Sequence, residues 1–397
     1  MRHRSSIPRT ALAAILAAAG FAAQLPARAE ESKPPAPRAR CEEAIPAVYD
    51  RVSPAVVSIA AMSVNPYDLD ERMTRVVGSG VIVDKSGLVL TNSHVVFSRQ
   101  VITVTLDDGS TLPARLVGAD PIFDVALVRI PTPSSGELPV ARLGDSENVP
   151  VGEEVLAIGN PFGLDQTLTR GIVSAVNRLL PNIPLSLTEP LIQTDAPINP
   201  GSSGGPLMDR CGDVIGITTA ILPEAQNIGF AIPIDLIRGV LPSLVEHGRV
   251  IRPWLGVQGQ LVSRPLKDLL RVPLVDGFLV EVVEPGSPAE KAGLHGGRLD
   301  LTIGGDTVLI GGDVITEIDG SPVSDLEKID RALRSLEVGA TTHLKIFHDG
   351  ATREVDITLV ERPLLPEDVP FRRSESPRNT TARSGAHAPF RGIRRGI

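Results

Sequence analysis

The chain has 397 residues, seven histidines, two cysteines and a formal net charge of −8. That balance offers no general surface for nucleic acid or other polyanions. Two cysteines cannot build a disulfide-dense scaffold, and no set of Cys and His has metal-ligand spacing. No phosphate loop is present, so no cofactor is expected. The length suits two domains with tails. With 3% aromatic residues, their cores must be built mainly from Val, Ile, Leu and Ala.

Residues 1–29 read as a signal peptide. A basic start (1–9) is followed by a short apolar run (11–23) and the small-x-small site Ala27-Arg28-Ala29. Cleavage there gives a secreted, periplasmic chain starting at Glu30; retention of the run would leave a membrane anchor. Residues 30–44 are Pro- and charge-rich and read as a mobile arm. From 45 to about 230, short alternating apolar runs are separated by Gly, Asp and Pro turns. This pattern, without intervening helices, predicts an all-β barrel or sandwich. One hairpin spans 80–96, turning at Asp84-Lys85-Ser86-Gly87. It ends on His94, the only histidine between Cys41 and Leu244. Another runs 101–106, then 111–117, across Asp107-Asp108-Gly109-Ser110.

Asp124 leads directly into the apolar run Val125-Ala126-Leu127-Val128, where a carboxylate is costly to bury without a partner. Farther on, Gly201-Ser202-Ser203-Gly204-Gly205-Pro206 opens the alternating stretch 206–222. A serine between glycines on a turn has an exposed hydroxyl and backbone N–H groups free to converge, as acyl transfer requires. A plain Gly/Ser turn would look the same alone. A base (His94), an acid (Asp124) and a nucleophile (Ser203) in the order His, Asp, Ser match one of the known convergent orders of a catalytic triad. Cys211 sits in the turn Asp209-Arg210-Cys211-Gly212-Asp213. It can pair with Cys41 in an oxidising compartment, pinning the arm to the domain, although sequence leaves their separation open.

Residues 234–246 read as a closing helix despite Pro242, and 248–252 as a linker. A second module begins near Pro253 with Trp254-Leu255-Gly256-Val257. It continues through Gly277-Phe278-Leu279-Val280, Pro285-Gly286-Ser287-Pro288, Gly311-Gly312-Asp313-Val314 and a helical stretch at 325–336. From 362 onward the chain is Pro-, Ser- and Arg-rich, which predicts disorder.

Three segments carry a family resemblance: Thr91-Asn92-Ser93-His94-Val95, Asp124-Val125-Ala126-Leu127 and Asn199-Pro200-Gly201-Ser202-Ser203-Gly204-Gly205-Pro206-Leu207. They resemble the triad segments of the HtrA/Deg family of trypsin-fold serine proteases. Ala157-Ile158-Gly159-Asn160-Pro161-Phe162-Gly163 and Asn227-Ile228-Gly229-Phe230-Ala231-Ile232-Pro233 agree. Ser202 stands where the family usually has Asn, and Ser93 where a second Asn is frequent.

The resemblance implies a mainly β chain: two packed antiparallel barrels over 45–248, then a PDZ α+β domain over 249–361 and a tail over 362–397. It implies a serine endopeptidase acting on unfolded proteins, cleaving after small aliphatic residues. Gly201 and Ser203 would supply the oxyanion-hole amides, and Ile217, Thr219 and Ile228 are candidates for the substrate pocket. Trp254, Leu255, Gly256 and Val257 would receive hydrophobic C-terminal peptides, with Trp254, the only tryptophan, as reporter. The longer stretch 296–310 is expected to alter access to that groove. Gly396-Ile397 is itself a candidate occupant. A homotrimer is implied, assembled through Ile45-Pro46-Ala47-Val48-Tyr49, with the short loop 65–75 arguing against a larger cage. Two other readings remain: a client-binding chaperone, and a membrane-tethered protease cutting one signalling partner.

Overall fold

The computed structural model describes residues 41–64, 73–132, 137–160, 166–178, 191–221, 227–262, 275–303, 306–324, 335–365 and 395–396, with Lys267, Lys328 and Ala332. The expected signal peptide, most of the expected arm, most of loop 65–75 and of the expected 325–336 helix, and nearly all of the 362–397 tail lie outside these residues.

The alternating runs close into two barrels. The first contains β1 (Val56–Val64), β2 (Met73–Asp84), β3 (Leu88–Thr91), β4 (Val101–Thr105), β5 (Thr111–Asp120) and β6 (Val125–Arg129), in the closed order β1-β2-β3-β6-β5-β4. The second contains β7 (Glu154–Gly159), β8 (Thr167–Arg178), β9 (Leu191–Thr194), β10 (Pro206–Asp209), β11 (Val214–Ile221) and β12 (Gly229–Pro233), in the order β10-β11-β12-β9-β8-β7. Neighbouring strands are antiparallel, so each barrel turns alternate side chains inward. Closure leaves no sheet edge exposed. The β2–β3 hairpin turns where expected, with Asp84 Oδ1 accepting from the Ser86 amide at 2.6 Å and Gly87 at φ +87°. Helix α3 (Ile234–His247) follows the second barrel and ends on Gly248 in the left-handed conformation.

Two short helices interrupt the strands, contrary to the all-strand expectation. The first, α1 (Ile45–Val52), has Pro46 in its first turn, where a missing N–H costs nothing. Its apolar side faces its own chain: Val48 and Val52 are buried in the core that also holds Leu156, Met208 and Val214. Among 45–49, therefore, Val48 is spent on intramolecular packing, while Pro46 and Ala47 remain exposed. Cys41 and Cys211 are disulfide-bonded, with Cα atoms 5.3 Å apart and 170 positions between them in sequence. Arg51 adds a second tie, its Nη2 donating to the Cys211 carbonyl and to Glu43, each at 2.8 Å. The helix packs closely on the β10–β11 turn: a Cβ on Gly212 would lie 2.9 Å from Val48 Cγ1. The second helix, α2 (Ser93–Val96), is one turn long and follows β3.

The linker is held to the first barrel. Arg252 donates twice to Asp120 at the end of β5, at 2.9 and 2.6 Å, and its guanidinium lies 4.2 Å from the centre of the Phe123 ring. Asp120 is buried, so removing the arginine strands a charge. Arg252→Met is expected to lower stability by about 3–5 kcal/mol, with Asp120→Asn in the same chain restoring most of the loss. Thermal unfolding of the two variants checks this.

In the second module, β13 (Pro253–Trp254) pairs with β22 (Val360–Glu361), which brings the module's start and end together. The main sheet uses β14 (Val257–Leu261), β15 (Phe278–Val283), β18 (Val314–Ile318), β20 (Thr341–His348), β21 (Ala351–Thr358) and β23 (Arg395–Gly396), in the order β21-β20-β18-β15-β14-β23. The short β19 (Ser321–Pro322) pairs with β18. One face of the sheet packs Val257, Phe278 and Val280 against Ala332 and Leu336. The stretch 296–310 is a hairpin, β16 (Leu299–Ile303) with β17 (Asp306–Ile310). Its Val308 and Ile310 pack with Val262, Leu279 and Val314. Leu279 alternates with Phe278 and Val280, so the hairpin covers the sheet face opposite Ala332 and Leu336.

Candidate active site

His94 rides on α2 rather than at a strand end. Asn92 caps that turn in extended conformation, and its side-chain amide donates to the Asp124 carbonyl at 2.9 Å. Asp124 sits where the β5–β6 turn enters β6, at φ +54°, a conformation uncommon for a residue with a side chain. Its carboxylate has no exposed surface and is held by three donors. The His94 amide donates to Oδ1 at 2.9 Å, His94 Nδ1 lies 2.8 Å from Oδ2, and Thr219 Oγ1 donates to Oδ2 at 2.5 Å. These bonds replace the water that burial removes. With the Nδ1 proton directed at Asp124, Nε2 becomes the basic nitrogen.

Burial alone would lower the His94 pKa, because it disfavours the imidazolium, but the Asp124 charge and hydrogen bond outweigh it. His94 therefore titrates above an ordinary histidine. Its raised value contributes stability in full below about pH 6.5, lost as pH rises through the folded value.

Ser203 lies on the glycine-framed turn before β10, part-exposed, with its Oγ donating to the Thr219 carbonyl at 2.9 Å. Thr219 thus bridges the two barrels at this point, its hydroxyl on Asp124 and its carbonyl on Ser203. Around the serine the turn is tied by Ser202 N to Asn199 O (2.9 Å), Gly204 N to Thr218 O (2.8 Å) and Gly205 N to Ser202 O (2.9 Å). Gly204 is required: at φ +90°, a Cβ there would lie 2.1 Å from the Ser79 carbonyl.

Ser79 was not evident as a site residue from sequence. It is fully buried on β2, and its Oγ donates to the Gly201 carbonyl (2.8 Å) while accepting from the Asn160 amide (2.9 Å). Its own amide donates to the Ser203 carbonyl at 2.7 Å. One strand of the first barrel therefore grips both ends of the Gly201–Ser203 turn. The available signal was Gly78-Ser79-Gly80, because paired glycines inside a strand mark close backbone approach. A Cβ on Gly78 would meet Val95 at 2.7 Å and the Ser203 carbonyl at 3.0 Å.

The pocket candidates fare differently. Ile217 has no exposed surface and packs in the core with Leu156 and Ile232, so it cannot touch substrate. Thr219 is occupied as the bridge between Asp124 and Ser203. Ile228 is only partly buried, against the same core.

In the second module, Gly256 adopts φ +84°. The carbonyls of Leu255 and Gly256 accept from the Ala289 and Glu284 amides, each at 2.9 Å. Ala289 lies in α4 (Pro288–Lys291), capped by Ser287. In a trans peptide, N–H and C=O point oppositely, so the Gly256 and Val257 amides aim away from these partners. Trp254 is almost fully buried, and a Cβ on Gly256 would sit 3.3 Å from its Cε2. It stands behind the loop, not along the β14 edge as the peptide-contact expectation had it.

Two closed six-stranded barrels, with an acid–histidine pair on one and a glycine-framed serine on the other, define a trypsin-like peptidase. Residues 78–217 match the trypsin-like peptidase domain family and residues 253–359 the PDZ domain family. The putative serine protease HhoA of Synechocystis sp. is 37% identical over 370 residues, covering 83% of this chain and 89% of that protein. A probable periplasmic serine endoprotease, DegP-like, of Halomonas elongata is 40% identical over 292 residues, 73% of this chain. The chain spans 57% of that relative's length. Among solved structures, the HtrA-type protease AlgW with decapeptide matches with TM-score 0.65 and 35% identity, covering 80% of this chain and 98% of that one. The serine endoprotease from Yersinia pestis matches with TM-score 0.61 and 31% identity, covering 82% and 100%. The chain belongs to the HtrA/Deg family of serine endoproteases, with a trypsin-like domain and one PDZ domain.

Proposed function

We propose that this protein is a periplasmic serine endoprotease of protein quality control, hydrolysing unfolded or misfolded proteins at Ser203 under control of peptide binding to its PDZ domain. The observation that carries the catalytic reading is the continuous path His94–Asp124–Thr219–Ser203. In the reaction, Ser203 Oγ attacks the scissile carbonyl carbon as His94 Nε2 removes its proton. The tetrahedral oxyanion is held by the Gly201 and Ser203 amides. His94 then gives its proton to the leaving amine, leaving an acyl-serine that water cleaves by the same route in reverse. Asp124 stays ionised and holds the imidazole in the productive tautomer. Turning the Ser203 hydroxyl from Thr219 to His94 precedes attack.

The basic form of His94 is needed for attack. The acid limb of kcat/KM is therefore expected to rise through a value above about 6.5. A profile on a short chromogenic peptide checks this; a limb at or below 6.5 would remove Asp124 as the dominant influence.

Ser79 acts in this reading as a positioning residue for the oxyanion hole. Ser79→Ala is expected to lower kcat by about 10–100-fold with KM nearly unchanged, by analogy with loss of an oxyanion donor. Ser79→Thr, which keeps the hydroxyl, should recover part of it. A fall in Tm alone, with kcat intact, would leave Ser79 a purely structural group.

The inward-turned carbonyls of Leu255 and Gly256 support peptide binding, since they leave two amides for a carboxylate beside the β14 edge. The related AlgW was solved with a decapeptide, which supports the same reading. Casein cleavage with and without an apolar C-terminal peptide tests regulation; equal rates at saturating peptide would remove it. The periplasmic location rests on relatives named as periplasmic and on the signal-peptide pattern. Among the described residues, no helix is long and apolar enough to cross a membrane. Trimeric assembly, implied by the family, would use surfaces that leave Val48 and Val52 in the core.

A further inference from the structure

Arg99 carries a charge that the described fold leaves unanswered. It lies five positions beyond His94, on the turn that leaves α2. Its Nη1 donates to Ser63 Oγ at 3.2 Å, and its Nε is buried with no hydrogen-bond partner. Among the described residues, no carboxylate pairs with it. Burial holds the guanidinium below the usual arginine range, because desolvation disfavours its charge. Arginine stays charged even so, and a cation drawn out of water gains from an anion that reaches it.

The turn fixes where this side chain goes. Ser98 takes φ +58°, uncommon for a residue with a Cβ. On the other side, the Gln100 amide donates to the Met62 carbonyl at 2.9 Å. The Gln100 side chain then extends the ladder at the end of β1. Its Oε1 accepts from the Val64 amide at 2.7 Å, and its Nε2 donates to the Val64 carbonyl at 3.2 Å. Ser63 alternates with Ile59 and Ala61, which share a core with Val95 and Val96 of α2. Arg99 therefore lies at the end of that core, beside α2. Arg75, the other cation at this end of β1 and β2, pairs with Met62 and so turns to the opposite face.

This position bears on the substrate. The departing amine must come within hydrogen-bond reach of His94 Nε2, so the leaving half of the peptide begins at α2. Burial and the Asp124 carboxylate dominate the His94 pKa, and the Arg99 charge acts alongside burial to lower it. The cation is thus near enough to be felt at the imidazole. An extended peptide advances about 3.3–3.6 Å per residue, a step that an arginine side chain spans twice over. We infer that Arg99 is a specificity-determining residue for the leaving half of the substrate, receiving a carboxylate carried two or three residues beyond the scissile bond. Its planar fork suits two parallel bonds to such a group. The inference rests on His94 as the group that protonates the leaving amine, and it adds a preference for acidic sequence on that side.

The test compares the wild-type chain with Arg99→Gln, Arg99→Lys and Ser203→Ala on internally quenched peptides cut after valine. Paired peptides carry aspartate or asparagine at the second or third residue beyond the bond. A further pair ends at the third residue, as free acid or amide. The readout is the ratio of kcat/KM for the charged member of each pair over the neutral one. Wild type is expected to favour the carboxylate by about tenfold at one of these positions. Arg99→Gln should bring the ratio to about one, and Arg99→Lys, which keeps the charge, should retain most of it. A preference confined to the free-acid pair would keep the site and assign it to a chain terminus instead of a side chain. Arg99→Gln should also move the acid limb of kcat/KM on the asparagine peptide to higher pH, because a cation that opposes His94 protonation is gone. A ratio near one in wild type, or an equal preference in Arg99→Gln, would overturn the inference. Cleavage by Ser203→Ala at the wild-type rate would overturn instead the triad on which it rests.

Discussion

Replacing Ser203 with alanine is expected to reduce turnover of casein by about 10⁴-fold or more, while leaving the fold intact. Among the described residues beside it, neither Asp124 nor Ser202 can take its place: the Asp124 carboxylate is closed in by His94 and Thr219, and Ser202 Cβ and Oγ pack where a Cβ on Gly159 would come within 3.0 Å. The one Ser203 side-chain bond in the described structure goes to the Thr219 carbonyl, on a turn also tied by four backbone bonds and Ser79. Its loss costs about 1 kcal/mol, so Tm should scarcely move. The residual rate, about 10³–10⁴ over water in enzymes of this kind, comes from the oxyanion amides and substrate binding. Near-normal cleavage by the variant would refute Ser203 as nucleophile and turn attention to a client-binding role. Labelling of the wild type by a fluorophosphonate, absent in Ser203→Ala, gives the same answer without a protein substrate.

The second large effect concerns stability. Removing the Cys41–Cys211 bridge by changing both residues to serine is expected to lower stability by about 3–5 kcal/mol. The upper figure is the chain-entropy cost released when a loop of that length opens. At about 2–4 °C per kcal/mol, Tm should fall by roughly 10 °C. The lower figure allows for α1, whose Val48 and Val52 stay packed on Gly212 and keep part of the arm in place without the bridge. Cys211 lies on the turn between β10 and β11, away from the Ser203 end of β10. Turnover at 25 °C should therefore change little while heat tolerance drops. Scanning calorimetry with and without reductant checks this; a shift under about 2 °C would show that packing alone orders the arm.

Much of this architecture was legible from residue patterns because closed antiparallel barrels write themselves as period-two alternation with Gly and Asp turns. The β2–β3 and β4–β5 hairpins fall where the alternation put them. His94 and Asp124 stood out because few residues of their kind occur in comparable settings. What stayed hidden has specific causes. Helix α1 has eight residues, too few for a 3.6-residue period to separate from an apolar run. The resemblance offered Ile217 and Thr219 as pocket candidates, yet Ile217, Thr218 and Thr219 are all buried. Strand β11 lies between its barrel core and the neighbouring barrel, so alternation cannot tell a substrate-facing side chain from a buried one. Ser79 escaped because its contacts reach 122 positions along the chain to Gly201. The 296–310 stretch was visible as extra length, but nothing in its residues says which face of a sheet it will cover.

The ion pair between Arg252 and Asp120 bears on where this protein can be divided. Counted by strands, the peptidase ends at about residue 248 and the next domain begins soon after. Counted by charge, the indivisible piece runs to Arg252. Asp120 is buried at the end of β5, four positions before Asp124, the proposed acid of the triad. A chimera that grafts a different domain after residue 248 would leave that carboxylate without its cation. One joined after residue 252 inherits the clamp intact. The seam between the peptidase and the PDZ domain thus lies inside the linker, and recombination that respects it can exchange the second domain without disturbing the first.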